Sequence, residues 1–335
     1  MDKLKRVIGS YEGTQRGPLF ISIGGIHGNE PSGIYAIQEV LRMLEVEPFT
    51  NASFVFSGKF VGLVGNLAAI RTKRRFINKD LNRQLTPDHV HELRMNHNHH
   101  LDVEDRELLL LLDEIDRQIK QYKPDKVVIL DLHTTSVTGG IFAIVTEDPE
   151  SIRIGQSLHA PVVKGMLDGI HGTTMHYFNR KNYGVNITTL TFEAGQHDDP
   201  LSINRAISGI VATMRAIGCV KSKDVETFHD DLLRHYSQNL PKVTRLAYVH
   251  RIKPEDHFTM YPNYRNFQWI KKGEIVARDT HGPVIAPVEG YMLMPLYQSQ
   301  GDDGFFILQK DEQFSSTTIN PVNHEHLSSI VGISH

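Results

Sequence analysis

The chain has 335 residues, of which 40% are hydrophobic and 22% charged, a composition typical of a folded globular protein. Lys and Arg total 36 against 39 Asp and Glu, so nothing indicates a basic surface for nucleic acid or an anionic membrane. The single cysteine, Cys219, excludes an internal disulfide framework and a cysteine-based zinc site. No apolar run is long enough for a membrane span and none follows the charged start, so we expect a cytoplasmic protein.

The first two thirds of the chain alternate strand-like and helix-like patterns. Short β-rich runs predict strands over residues 18–23, 53–62, 126–132 and 186–192. Longer amphipathic patterns predict helices over residues 31–44, 101–122 and 203–217. The nearly continuous apolar run over 126–132 is typical of a strand that is covered on both faces. This order predicts an α/β fold with a mixed, mainly parallel sheet and helices on both of its faces.

After residue 240 the pattern changes to short strands separated by glycine and proline. Strands are predicted over residues 243–252, 275–277, 284–285, 291–294 and 305–309. We therefore divide the chain into a first domain over residues 1–240 and a small all-β domain over residues 241–335. We expect the second domain to be a β-barrel-like cap that narrows a cleft in the first.

Three predicted strands end in residues that carry chemistry. His27 and Glu30 lie in a glycine-rich loop after the first strand, although Glu30 could equally be a carboxylate that stabilises a helix start. His133 directly follows the buried strand 126–132, and Glu193 follows the strand 186–192. Because strand ends of open α/β sheets form a ligand crevice, His27, Glu30 and His133 could meet as a zinc set with a free fourth position.

The remaining candidate residues are an acid and a basic segment. Glu193 could serve as general base and then as general acid, unless it is a surface residue before a turn. Arg75 could stabilise an oxyanion, and Asn82 with Arg83 offers an amide and a guanidinium fork for a carboxylate. A run of basic residues such as 71–75 is otherwise most often a solvated face.

Taken together in this order, these motifs resemble the succinylglutamate desuccinylase/aspartoacylase family, a branch of the zinc carboxypeptidase-like hydrolases. The resemblance implies a zinc-carboxypeptidase-like fold and an amidohydrolase with one Zn²⁺ per chain that acts on a small N-acyl amino acid. It implies zinc ligands His27, Glu30 and His133, with Glu193 as base and acid. It also implies that Arg75 polarises the scissile carbonyl, that Asn82 and Arg83 bind the α-carboxylate, and that Tyr291 reaches the substrate.

Two features depart from the family pattern. Arg180 does not stand at the spacing from Glu193 at which aspartoacylases carry an arginine for an acidic acyl group. The His-rich stretch 89–100 has no family role, and we interpret it as an exposed loop between helices. The alternatives to the deacylase are a metallocarboxypeptidase acting on short peptides and a non-catalytic carboxylate-binding relative. We expect no nucleic-acid or membrane partner, and the sequence is compatible with a homo-oligomer.

Overall fold

The computed structural model describes residues 4–95, 101–221 and 228–311. The strands are β1 Val7–Glu12, β2 Gln15–Gly24, β3 Ser57–Val64, β4 Lys126–Thr135, β5 Phe142–Val145, β6 Val162–Lys164, β7 Asn186–Gln196, β8 Val243–Arg251, β9 Thr259–Met260, β10 Trp269–Ile270, β11 Ile275–Asp279, β12 Gly282–Ile285, β13 Gly290–Leu293 and β14 Asp303–Lys310. The helices are α1 Ser32–Thr50, α2 Leu67–Thr72, α3 Pro87–Met95, α4 Val103–Tyr122, α5 Pro149–Ser157, α6 Met166–Gly169, α7 Thr174–Tyr177, α8 Arg180–Tyr183, α9 Leu201–Ala216 and α10 Phe228–Ser237. Within these ranges, no helix combines the length and apolarity that crossing a bilayer requires.

One mixed sheet runs through the described residues in the order β1-β3-β2-β4-β7-β5-β6-β8-β14-β13-β10. Its central strands β3, β2, β4 and β7 are all parallel to one another. Parallel neighbours end at the same edge of a sheet, so the residues at the carboxyl ends of β2, β4 and β7 lie side by side. This edge carries His27, His133 and Glu193.

Helices cover both faces of the central sheet. Along β2, Phe20 packs into a core cluster with α1 and α9, whereas Leu19 and Ile21 pack into a second cluster with α4. The same alternation along β4 sends Val128 to the first cluster and Ile129 to the second. Since successive side chains of a strand point to opposite faces, both faces must be apolar. The predicted α/β class with helices on both faces is confirmed.

The strands after residue 240 extend this sheet and add a small one. β8 pairs in parallel with β6, with Val243 opposite Val162, and β14, β13 and β10 continue in antiparallel fashion. β12, β11 and β9 form a separate three-stranded antiparallel sheet. The main sheet thus continues across residue 240, and the division into domains 1–240 and 241–335 stays a prediction.

Two central strands are longer than their apolar runs predicted. β4 continues from residue 132 to Thr135 and β7 from residue 192 to Gln196. The extensions pair with each other, with His133 opposite Glu193. Polar residues can continue a strand when a neighbour supplies the hydrogen bonds, and this neighbour is not visible in the local sequence.

The interpretation of the His-rich stretch as an exposed loop is wrong over its first part. Residues 89–95 belong to helix α3, which buries Val90 against the α4 side of the core. The ring of His89 is 3.0 Å from Asp105 on α4 and only partly exposed. A proline and an aspartate at the start of α3 favour helix initiation. The sequence analysis considered only the histidines of this stretch and overlooked that signal. Residues 96–100 lie outside the described residues.

Candidate active site

The loop between β2 and α1 has a backbone that only glycine accommodates. Gly25 has a φ of +71°, and a Cβ added to Gly28 would lie 2.1 Å from the carbonyl carbon of Ala69. The Gly28 N–H donates to the Arg75 carbonyl at 3.1 Å, which ties this loop to the segment after α2. These constraints turn His27 and Glu30 towards the interior, where their exposed fractions are 4% and 2%.

Two imidazoles meet the Glu30 carboxylate from different strand ends. Nδ1 of His27 is 2.9 Å from Oε1 of Glu30, and Nδ1 of His133 is 3.0 Å from Oε2. The Thr134 N–H also donates to Oε2 at 3.0 Å. One potential ligand atom from each of His27, Glu30 and His133 lies within 4.8 Å of the others. The structure therefore brings together the three residues that the sequence predicted as metal ligands.

The opposite ring nitrogens face two buried carboxylates. Nε2 of His27 is 3.2 Å from Oδ1 of Asp80, and Nε2 of His133 is 3.0 Å from Oδ2 of Asp131. Thr174 in turn donates its hydroxyl to Asp131 at 2.7 Å. A carboxylate behind a histidine fixes the orientation of the ring and increases its basicity, as in many zinc sites. The donor set and its supports thus suit a divalent cation.

The charges of this cluster shift the pKa values of its members strongly. Burial by itself would raise the pKa of Glu30, but the neighbouring His27 and His133 hold that pKa well below 4.5. Burial would lower the pKa of His133, yet Asp131 and Glu30 outweigh it and hold that pKa well above 6.5. Two further buried carboxylates, Asp80 and Asp131, lie behind the two imidazoles, and the Arg75 guanidinium contacts Glu30 and Asp80. A cation bound by Glu30 and the imidazoles would replace the protons that these pKa shifts describe.

Glu193 is buried beside His133 at the end of β7. Its exposed fraction is 5%, and its Oε2 has no hydrogen-bond partner among the described residues. Burial and the nearby charge of Glu30 raise the pKa of Glu193 to about 8. A carboxyl group that titrates near neutral pH can both accept and donate a proton. The interpretation of Glu193 as a surface residue before a turn is therefore wrong.

Arg75 is held by two carboxylates of the cluster. Its Nη2 donates to Asp80 at 3.0 Å and its Nη1 to Glu30 at 3.5 Å. Asp80 and Glu30 raise its pKa against the effect of burial, so the guanidinium stays charged. Its Nε is buried and lacks a hydrogen-bond partner within the described part of the chain. Residues 71–74 of the basic run are exposed, as expected of a solvated face, whereas Arg75 points inward.

Asn82 and Arg83 lie together on a short 3-10 turn that Asp80 caps. The side-chain oxygen of Asn82 accepts the Thr174 N–H at 3.1 Å, which directs the amide NH₂ group away from that bond. Nη2 of Arg83 donates to Asp303 at 2.8 Å, and Asp303 also binds Nη1 of Arg251 at 2.5 Å. Asp303 comes from β14, so the C-terminal part of the chain holds the guanidinium of Arg83.

These side chains line one cavity of about 120 Å³. His27, Glu30, His133, Glu193, Arg75, Asn82 and Arg83 all contribute to its wall. Buried wall atoms without a hydrogen-bond partner among the described residues include Nε of Arg75, Nε of Arg83 and Oε2 of Glu193. Since buried polar groups are normally paired, these atoms point to a polar ligand that completes the site.

Known proteins resemble this chain in sequence and in fold. Residues 17–217, well over half of the chain, match the family model described as succinylglutamate desuccinylase/aspartoacylase catalytic domain. The chain belongs to this family. A probable aspartoacylase from Nostoc sp. is 26% identical over 133 residues, and the match spans 39% of this chain and only 40% of that relative. Members of the succinylglutamate desuccinylase/aspartoacylase family are hydrolytic enzymes.

Solved structures show the same fold at low sequence identity. A succinylglutamate desuccinylase/aspartoacylase from Rhodobacter sphaeroides has a TM-score of 0.60 at 16% identity and covers 89% of this chain and 87% of its own. A product-bound ectoine utilization protein from Ruegeria pomeroyi has a TM-score of 0.61 at 17% identity, with the same coverage. The fold of the family therefore extends beyond residue 217 into the C-terminal strands.

Two residues considered from the family pattern do not line the cavity. Tyr291 lies on β13, where its ring contacts Trp269 at a centroid distance of 5.0 Å and packs against the core near Phe267. Arg180 is exposed on α8. Neither is among the described residues of the cavity wall. The family-based role of Tyr291 at the substrate gains no support from this placement.

The sequence analysis also missed three residues that support the site. Asp131 and His133 stand two apart on one strand, and this alternation could have placed both on the same face. Asp80 stands beside the Asn82-Arg83 pair, but nothing local shows that it faces His27. Asp303 is separated from Arg83 by 220 residues, and no sequence signal connects the two.

Proposed function

We propose that this protein hydrolyses the amide bond of a small N-acyl amino acid, with one zinc ion bound per chain. The observation that carries the proposal is the approach of two imidazole Nδ1 atoms to the two oxygens of one buried carboxylate. Two histidines and one carboxylate are the ligand set of many catalytic zinc sites. When bound, zinc would lower the pKa of a water molecule and polarise a carbonyl group.

The neighbouring side chains supply the other requirements of amide hydrolysis. Glu193 would accept a proton from the attacking water and deliver it to the leaving amine, which matches its burial and its raised pKa. Arg75 would donate its unpartnered Nε–H to the oxygen on which negative charge develops. Both groups line the cavity of the proposed ligand set, so one substrate could contact them together.

Asn82 and Arg83 are proposed to bind the α-carboxylate of the substrate. The Asn82 amide is oriented by Thr174, and the Nε–H of Arg83 has no partner within the described residues. A charged guanidinium and an amide together suit a planar carboxylate.

The zinc part of the proposal is tested by metal content. His133→Ala removes one proposed ligand and should reduce bound zinc from about one per chain to near zero, measured by atomic spectroscopy after dialysis. His91→Ala, on the exposed side of α3, is the matched control and should keep its zinc. Unchanged zinc content of the His133 variant would contradict the metal site.

The substrate class is tested by amine release from a panel of N-acyl amino acids, their α-carboxamides and short peptides. We expect hydrolysis of N-acyl amino acids and at least about a 100-fold loss of kcat/KM for the carboxamides, because the carboxylate contact is lost. Equal cleavage of the carboxamides would contradict the roles of Asn82 and Arg83. Preferred cleavage of peptides would instead indicate a carboxypeptidase.

A further inference from the structure

The cavity wall carries few positively charged side chains, and each guanidinium already pairs with a carboxylate. Among the described residues that line it, the guanidinium groups are those of Arg75 and Arg83, and no lysine contributes. Three histidines also line it: His27 and His133 are the proposed metal ligands, and His197 contacts Thr134 and Gln298. Arg75 is paired with Asp80 and Glu30, and Arg83 is paired with Asp303. Of these two, Arg83 lies next to Asn82, whose amide is a second donor. The wall is therefore built to bind a single carboxylate group at that point.

Threonine, serine, glutamine and histidine side chains contribute to the remaining wall, which also contains a group of apolar side chains. The side chains of this apolar group also belong to, or pack against, one further core cluster of the protein. They are Ile144, Met166, Ile170, Met175, Met294 and Phe306. The lining also includes the exposed Asp302 and the buried Asp303, which add no positive charge. A second carboxylate placed against the apolar side chains would lose its hydration without gaining a cation.

We propose that the site selects N-acyl amino acids with one carboxylate only, whose other end is uncharged and apolar. This inference rests on the proposed function and narrows its substrate class. The apolar end is either the acyl group or the amino acid side chain, because both extend from the scissile amide. In either case the substrate presents an apolar group that suits the aliphatic and methionine side chains of the wall.

A set of four compounds separates these two sources. N-pentanoyl-L-leucine, N-succinyl-L-leucine, N-pentanoyl-L-aspartate and N-succinyl-L-aspartate combine an apolar or acidic acyl group with an apolar or acidic side chain of similar size. We expect N-pentanoyl-L-leucine to be hydrolysed with a kcat/KM at least about 100-fold above that of N-succinyl-L-aspartate, because the latter carries extra charges without partners. N-succinyl-L-leucine and N-pentanoyl-L-aspartate, which each carry one added carboxylate, should both be hydrolysed more slowly than N-pentanoyl-L-leucine. The more strongly penalised of the two identifies the end that meets the apolar wall. Equal or better hydrolysis of either compound overturns the inference.

Binding to the Glu193→Gln protein is measured with the same four compounds by calorimetry. This readout separates the substrate class from the proposed hydrolysis. Tight binding of N-pentanoyl-L-leucine with no hydrolysis by the unmodified protein contradicts the hydrolytic function but supports the selectivity. Hydrolysis with tighter binding of the acidic compounds supports the function and overturns the selectivity. Binding of none of the four overturns the inference.

A cation added to the wall should change the preference. Met294 is half-buried on the cavity wall. Met294→Lys should raise the kcat/KM of the more strongly penalised acidic compound, relative to that of N-pentanoyl-L-leucine, at least about 10-fold. Leu296→Lys, also half-buried on the wall, is a second variant in case the first does not fold. Leu110→Lys on the exposed face of α4 is the control and should leave the ratio unchanged. An unchanged ratio in a folded wall variant overturns the inference.

Discussion

The ends of β2, β4 and β7 differ in kind from the C-terminal segments that face them. At the strand ends, buried charged groups contact one another directly, as His27, Glu30 and His133 do. The facing segments contribute apolar side chains such as Met294 and Phe306 beside polar ones, with one buried charge at Asp303. The first region is arranged for chemistry and the second for shape and charge balance. We therefore expect substitutions at the strand ends to change mainly turnover, and substitutions in the facing segments to change mainly substrate binding.

The largest expected effect is at the strand ends. Glu193→Gln keeps the shape of the side chain but cannot accept a proton, so kcat should fall about 1,000-fold. Zinc content should stay near that of the unmodified protein, because Glu193 is not a proposed ligand. Steady-state kinetics and metal analysis check both expectations. Glu45→Gln, on an exposed position of α1, is the control, and substantial residual turnover of the Glu193 variant would refute its role.

A smaller effect is expected from the carboxylate that contacts a proposed metal ligand. Asp131→Asn leaves the size of the side chain but removes the charge next to His133. Zinc affinity should fall about 10- to 100-fold, as is usual when the carboxylate behind a histidine ligand is lost. Competition with a chelator of known affinity measures this change. The same affinity in the variant would mean that Asp131 serves only the packing with Thr174.

The facing region should respond in KM rather than in kcat. Asp303→Asn weakens the charge-assisted bond to Arg83, so KM for an N-acyl amino acid should rise about 10-fold while kcat changes little. Asp113→Asn, at an exposed position of α4 away from the cavity lining, is the matched control and should leave KM unchanged. A fall in KM of the Asp303 variant would show instead that Asp303 competes with the substrate carboxylate.

The smallest effect concerns the pH dependence of stability in the C-terminal strands. His250 stacks on Phe305 at a centroid distance of 5.0 Å, and burial lowers its pKa below 6.5. Because the neutral form is favoured on folding, its contribution is complete above pH 6.5 and is lost as the pH falls through the lowered pKa. His250→Phe should therefore reduce the loss of stability between pH 7 and pH 5 by less than about 1 kcal/mol. Thermal unfolding at both pH values measures it, and an identical loss in the variant would exclude His250 as a source.

Much of the fold was predictable because its information is local. The apolar runs of β2 and β4 indicated buried strands, and the amphipathic pattern of 101–122 indicated the helix now seen as Val103–Tyr122. The short strands β5 and β6 were missed, since three or four residues carry too little periodicity. The pairing of β8 with β6 could not be predicted, because strand order depends on contacts between distant segments.

For the site, the candidate reactive groups could be found from local sequence patterns. The glycine-rich loop with His27 and Glu30, and the strand ends with His133 and Glu193, could be identified because their residue types and positions at strand ends are local features. The groups that surround them became visible only in the three-dimensional fold. It placed Asp80 behind His27, joined Arg83 to Asp303 and turned Tyr291 against Trp269 instead of the cavity. Such partners depend on the packing of segments far apart in the chain, and neither residue type nor spacing encodes that packing directly.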